Sequence, residues 1–224
     1  MSGRQDFEVP SFMEKREISE MLFSEDDIKA KVKEIGALIN KEYKDKLDGK
    51  PLIVIATLKG ATVFFADLVR TLDVDHVWEF MSFSSYGMGS SSSGAVQMVL
   101  DLKMDIGGRD VLVVEDILDT GNTLKYMIKQ LWAREPKSVK TVVLLHKTEM
   151  TIPGVSAEFI GWEIPNHFVV GYGLDFAQKY RGLPYIGVVA PWVYQNPTDE
   201  KLKSDGSILS GDVSPMLNPA DQKK

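Results

Sequence analysis

Along the chain, short unbroken apolar runs alternate with stretches in which apolar residues recur every three or four positions. The runs at 52–56 (LIVIA), 111–114 (VLVV) and 139–145 (VKTVVLL, broken only by Lys140-Thr141) are short and β-branched, as strands buried on both faces should be. Residues 77–83 read as a further strand. Ile28, Val32, Ile35, Leu38 and Ile39 share one helical face, and Ser24 followed three places later by Asp27 resembles a capping box, so a helix is expected from there to about Tyr43. Asp48-Gly49-Lys50-Pro51 supplies the turn into the next strand. Helices are also expected over 61–69 and 122–133, and shorter strands over 159–161, 168–171 and 186–189. Strands alternating with helices predict an α/β fold: a mainly parallel sheet flanked by helices on both faces.

The ends and one loop stand apart from this pattern. The first 24 residues show little periodicity and are expected to lie over the surface. Residues 196–224 form a polar tail with scattered Pro and Gly, leaving 25–195 as the domain. Between two β-rich arms, 80–83 and 96–102, lies SSYGMGSSSSG at 84–94, a hydroxyl-rich loop of the length that is usually functional inside a compact domain.

Composition narrows the options. With 224 residues, 44% hydrophobic, the chain is long enough for one well-cored domain. A net charge of −6 argues against binding nucleic acid through a basic face. The absence of cysteine excludes disulfides, cysteine–zinc sites and thiol nucleophiles. No apolar run reaches membrane-spanning length, MSGRQDFEVP lacks the apolar centre of a secretion signal, and the last residues are not a peroxisomal address, so a cytoplasmic protein without membrane partners is expected.

The chemistry concentrates in VLVVEDILDTGNTL, residues 111–124. A buried strand runs into Glu115 and Asp116, then Asp119, then Thr120-Gly121-Asn122-Thr123 at a helix start. Gly121 allows close backbone approach, and consecutive amides at a helix N-terminus point at an anion, with the hydroxyls of Thr120 and Thr123 as added donors. The acidic pair can accept from two sugar hydroxyls or hold a hydrated Mg2+. In isolation, Asp119 or Thr120 as a helix cap beside a solvated acidic pair would explain the turn equally well; strand, acidic pair and turn in one run favour a sugar phosphate. Neither G-x-x-x-x-G-K-[ST] nor G-x-G-x-x-G is present. Polar clusters also follow two other strands, at Leu58-Lys59-Gly60 and His146-Lys147, and a parallel sheet brings such strand ends to one edge.

This stretch resembles the phosphoribosyl-diphosphate motif of type I phosphoribosyltransferases. Leu58-Lys59-Gly60, Ser84-Ser85-Tyr86, Lys147 and EIPNHFVVGYGLDFAQKYRGLPY at 163–185 resemble hypoxanthine-guanine phosphoribosyltransferases, over about residues 25–190. The resemblance implies a Rossmann-like sheet with a small purine-binding hood, about 163–190, and a lid over 84–94. It implies a purine-salvage reaction that moves a 5-phosphoribosyl group from its diphosphate to a 6-oxopurine with release of pyrophosphate. In that reading Thr120, Gly121, Asn122 and Thr123 cradle the 5′-phosphate, and Glu115 and Asp116 take the ribose hydroxyls. Asp119 faces purine N7 as the proton-transfer residue. Lys59, Gly60 and Arg181 meet pyrophosphate, and the peptide before Lys59 is cis in some members. Ile117, Lys147, Phe168, Val169 and Asp175 read the purine, Ser85 and Tyr86 close the lid, and Glu115, Asp116 and Asp175 share Mg2+. A homodimer or homotetramer is implied as well. His167 stands where Lys is common, which makes a mainly xanthine-specific relative the alternative. A regulator that only senses the diphosphate is a further one, set against by the acidic charge and the shortness of the segment before the domain.

Overall fold

The computed structural model describes residues 17–86 and 95–195. The first half of the described chain runs β1 (Ile18–Phe23), α1 (Glu25–Tyr43), β2 (Leu52–Leu58), α2 (Thr62–Val69), β3 (His76–Tyr86) and β4 (Ala95–Leu100). The second half runs β5 (Asp110–Leu118), α3 (Asn122–Trp132), β6 (Ser138–His146), β7 (Phe159–Glu163), β8 (Val169–Val170), β9 (Ile186–Val189) and α4 (Pro191–Gln195). Six strands form one sheet in the order β4-β3-β2-β5-β6-β7, parallel throughout except for the edge pair β3–β4. A separate antiparallel sheet, β1-β9-β8, forms the hood.

The alternation of side chains along a strand builds two cores. Ile53, Ile55, Val111, Val113 and Val143 meet Leu124, Met127 and Leu131 of α3 on one face of the large sheet. On the other face Leu52, Val54, Ala56, Leu112, Val114, Val142 and Leu144 meet Ile28, Val32, Ile35 and Ile39 of α1 and Phe64, Phe65 and Leu68 of α2. Because both faces are covered, the central strands read as continuous apolar runs, each such side chain contributing about 1.5–3 kcal/mol by burial. The α1 start is as expected: the Ser24 hydroxyl accepts from the Asp27 amide while the Asp27 carboxylate accepts from the Ser24 amide, a complete capping box. No helix among the described residues is long and apolar enough to cross a membrane.

Several elements depart from expectation. Ile18–Phe23 was expected on the surface but pairs with β9 and buries Ile18. Its partner lies at the far end of the chain, so no local periodicity announces it. β5 runs to Leu118 rather than stopping at 114, because β6 continues to pair with it at Glu115↔Val143, Ile117↔Leu145 and Leu118↔His146; Glu115 and Asp116 therefore sit within the strand. Ser84, Ser85 and Tyr86, expected in a loop, end β3 opposite Gln97, Val96 and Ala95. The remainder of the expected lid at 87–94, residues 1–16 and the tail at 196–224 lie outside the described residues.

Candidate active site

Parallel pairing brings the carboxyl ends of β2, β5 and β6 to one edge, and the hood closes over that edge. The cleft between them, about 330 Å3, is lined by Lys59 and Gly60 after β2, by Asp116, Ile117 and Asp119 around the end of β5, and by Lys147 after β6. From the hood come Phe168, Val169, Leu174, Asp175 and Arg181. A second hollow of about 210 Å3 adjoins it, lined by Glu115, Thr120, Gly121 and Thr123 among others. Asn122 opens α3 without lining either hollow, and His167 is not among the lining residues.

The smaller hollow is built around the start of α3. Gly121, the N-cap of α3, has φ 84, and a Cβ there would lie 2.9 Å from Val155 Cγ1. The turn thus demands glycine on both counts. No side chain of the N-cap residue caps α3, and Thr120 Oγ1 stands 3.5 Å from the Asn122 amide, too long for a firm bond. Thr120 therefore caps the helix only weakly, and the Asp119 carboxylate goes to Lys147 instead. The first-turn amides remain available to a ligand.

Behind the turn the acidic pair is held out of water. Burial, and secondarily the Asp116 carboxylate, pushes Glu115 up to about 8. Asp116 is also raised, chiefly by burial, although it keeps an edge on the cleft; its Oδ1 accepts from the Ile117 amide at 3.0 Å. Gly60 packs directly on it: a Cβ at Gly60 would lie 1.8 Å from Asp116 Oδ2. Two carboxyls with raised affinity for protons, facing a polar hollow, are groups that a bound cation or hydroxyl donors would stabilise in ionised form. In the unfolded chain Glu115 titrates near ~4.3. Between that value and about 8 the folded state holds more protons than the unfolded one, so stability falls as pH rises through this window. E115Q removes Glu115's share of the slope. Without divalent cations, its Tm advantage over the parent should widen by several degrees from pH 5 to pH 8; thermal melts showing a gap independent of pH would exclude the raised Glu115.

Two ion pairs face the cleft, one from the large sheet and one from the hood. Lys147 Nζ lies 2.9 Å from Asp119 Oδ2, with the lysine side chain 2% exposed and the aspartate 32%. Arg181 Nη2 pairs with Asp175 Oδ1 at 2.7 Å and its Nη1 donates to the Gly173 carbonyl at 2.8 Å, while its Nε is buried without a partner. The other Asp175 oxygen accepts from the Gln178 amide at 2.8 Å. Phe168 meets Phe176 edge to face, ring centroids 5.3 Å apart. The Leu58–Lys59 peptide is cis.

Of the residues expected from the sequence, Glu115, Asp116, Ile117, Asp119, Thr120, Gly121, Thr123, Lys59, Gly60, Lys147, Phe168, Val169, Asp175 and Arg181 line the two hollows and Asn122 does not, while Ser85 and Tyr86 end β3. Among the described residues no three acidic or histidine side chains form a preassembled metal cage; Asp175, on the hood, pairs with Arg181 and accepts from the Gln178 amide. Sequence reading also missed Gly173. Its φ is 102, and a Cβ there would lie 2.1 Å from the Gly60 carbonyl oxygen, so Gly173 lets the hood rest on the β2 loop. The paired glycines in VVGYGLDF were the available signal.

Residues 25–177 match the phosphoribosyl transferase domain, and the chain belongs to that family. Within it, the chain is 45% identical over 184 residues to the hypoxanthine-guanine phosphoribosyltransferase of Bacillus subtilis, covering 82% of this chain and 100% of that one. It is 43% identical over 181 residues to the enzyme of the same name from Mycobacterium bovis, covering 80% and 90%. Among solved structures, a hypoxanthine phosphoribosyltransferase from Staphylococcus aureus superimposes with a TM-score of 0.77 at 42% identity, over 84% of this chain and all of that one.

Proposed function

We propose that the protein is a purine-salvage enzyme that transfers the 5-phosphoribosyl group of phosphoribosyl diphosphate to N9 of hypoxanthine or guanine, releasing pyrophosphate. One observation carries the reading: an uncapped helix N-terminus, an acidic pair and a buried lysine–aspartate pair meet at one edge of the sheet. The similarity to hypoxanthine-guanine phosphoribosyltransferases over nearly their whole length supports it.

The amides and hydroxyls of the 120–123 turn bind the 5′-phosphate, and Glu115 and Asp116 accept from the ribose hydroxyls. Lys59, the Gly60 backbone and Arg181, with its unpartnered Nε, take the pyrophosphate. As the bond from C1′ to pyrophosphate breaks, positive charge grows on the sugar, and the acidic wall of the cleft stabilises it. Phe168 stacks on the purine, with Ile117 and the Val169 backbone against its ring and edge. Lys147 donates to the 6-oxo group and so disfavours 6-amino purines, and Asp119 exchanges the proton at N7. By the resemblance, Ser85 and Tyr86 belong to the part of the site that excludes water.

A buried acidic pair with raised proton affinity suits Mg2+, which takes one or two carboxylates and completes its shell with substrate oxygens. Glu115 and Asp116 would hold it, with Asp175 on the pyrophosphate side, and the ion would neutralise charge on the diphosphate. The protein works in the cytoplasm as a homodimer or homotetramer, in line with the resemblance.

Turnover measured side by side with hypoxanthine, guanine, xanthine and adenine tests the reading. The 6-oxopurines should react and adenine should not, and excess chelator should abolish the reaction. Turnover of adenine alone would overturn the assignment, and preference for xanthine would put His167 in control of the 2-position.

A further inference from the structure

The two groups assigned to the base, Asp119 and Lys147, come from different strands, yet their ion pair needs their main chains in fixed register. The segment after β6 provides that register. The Lys147 amide donates to the Leu118 carbonyl at 2.9 Å, and the Ile152 amide donates to the Thr120 carbonyl at 3.0 Å. Between these two ties sits Thr151. Its Oγ1 lies 2.8 Å from the Asp119 carbonyl and 3.0 Å from the Lys147 carbonyl, so one hydroxyl bridges both backbones. His146 Nε2 stands 3.1 Å from the same oxygen, while its Nδ1 is buried without a partner. A proton on Nε2 satisfies this geometry: the ring donates to Thr151 Oγ1, leaving the hydroxyl hydrogen free to point at the carbonyls.

We propose that Thr151 is a positioning residue for the base half of the site, its hydroxyl holding the Asp119 and Lys147 main chains at the separation their side chains need, with His146 orienting that hydroxyl. The proposal rests on the transferase reading above. Thr151 touches no reacting atom. Its effect should fall on the base rather than on the donor, because the acidic pair and the α3 amides stay in place without it.

The test compares T151V, which keeps the shape and loses the hydroxyl, with T151A and T151S in the full chain. In T151V and T151A, kcat/KM for hypoxanthine and guanine should fall about tenfold while KM for phosphoribosyl diphosphate stays within about threefold; T151S should recover to within about threefold of the parent. Amide hydrogen exchange at Lys147 and Ile152, which bracket the lost bond, should quicken about tenfold in T151V. T151A carries the same expectation should T151V not fold. Unchanged base kinetics, equal loss for both substrates with a matching fall in Tm, or T151S as impaired as T151V would each overturn the proposal. If the parent turns over no oxopurine, the functional reading fails by itself, and unchanged exchange at the two amides would then still refute the tie.

Discussion

Asp119→Asn is expected to lower kcat by about two to three orders of magnitude while KM for phosphoribosyl diphosphate stays within about threefold. The amide keeps the shape of the carboxylate but cannot take the N7 proton, and it leaves in place the acidic pair and the 120–123 turn that are assigned to the donor. Steady-state kinetics with hypoxanthine decide it; undiminished turnover would remove Asp119 from the proton-transfer role. The same substitution should also lower Tm, since it leaves the 2%-exposed Lys147 ammonium facing a neutral partner. Breaking a fully buried pair from one side costs about 3–5 kcal/mol, and the open edge of Asp119 reduces this to about 1–2 kcal/mol. Lys147→Met is the instructive opposite. It removes the buried charge and leaves Asp119, 32% exposed, to water, so stability should hardly change while the affinity for oxopurines collapses.

Gly173→Ala is the second large effect. The residue combines φ 102 with a carbonyl oxygen 2.1 Å from where the new methyl must go. That oxygen belongs to the main chain of Gly60 and cannot swing aside as a side chain would. Relief requires the hood to lift or the Lys59-Gly60 loop to shift, and either displaces a group assigned to pyrophosphate. KM for phosphoribosyl diphosphate should rise at least tenfold, with a loss of stability of about 2–4 kcal/mol from strain and clash together. Gly182→Ala is the control, because a Cβ there meets nothing within 4 Å and the backbone is not left-handed. If both variants bind the donor like the parent, the hood does not depend on this contact.

What was legible in the sequence was what the chain states locally. Apolar runs of strand length, the Ser24–Asp27 capping box and the polar residues at strand ends are written in neighbouring residues, and they placed both sheet faces and most of the cleft. Ile18–Phe23 was not legible, because its pairing with Ile186–Val189 depends on residues far along the chain. The reach of β5 to Leu118 depends on β6 in the same way. Lys147 and Asp119 could each be picked out, but not their pairing. Gly173 and Thr151 carry residue types common in any turn, and only the tertiary arrangement shows what they touch. The partners of Asp175, Arg181 and the Gln178 amide, were not legible for a similar reason: they come from the fold of the hood.

The antiparallel pairing of β1 with β9 has a consequence for how the protein is made. Ile18 meets Val189, and the Ala190 amide donates to the Glu17 carbonyl, so the hood sheet is closed by opposite ends of the domain. The β2–β6 sheet, with α1 to α3 packed on it, is complete in the nascent chain once His146 has emerged. The hood must wait some forty residues more, until β9 leaves the ribosome, and its pairing carries the largest loop-closure cost in the domain. In vectorial synthesis the β5–α3 turn can therefore assemble before the hood, and β1 spends that interval as an unpaired strand with open edges, exposed to aberrant pairing until the domain closes.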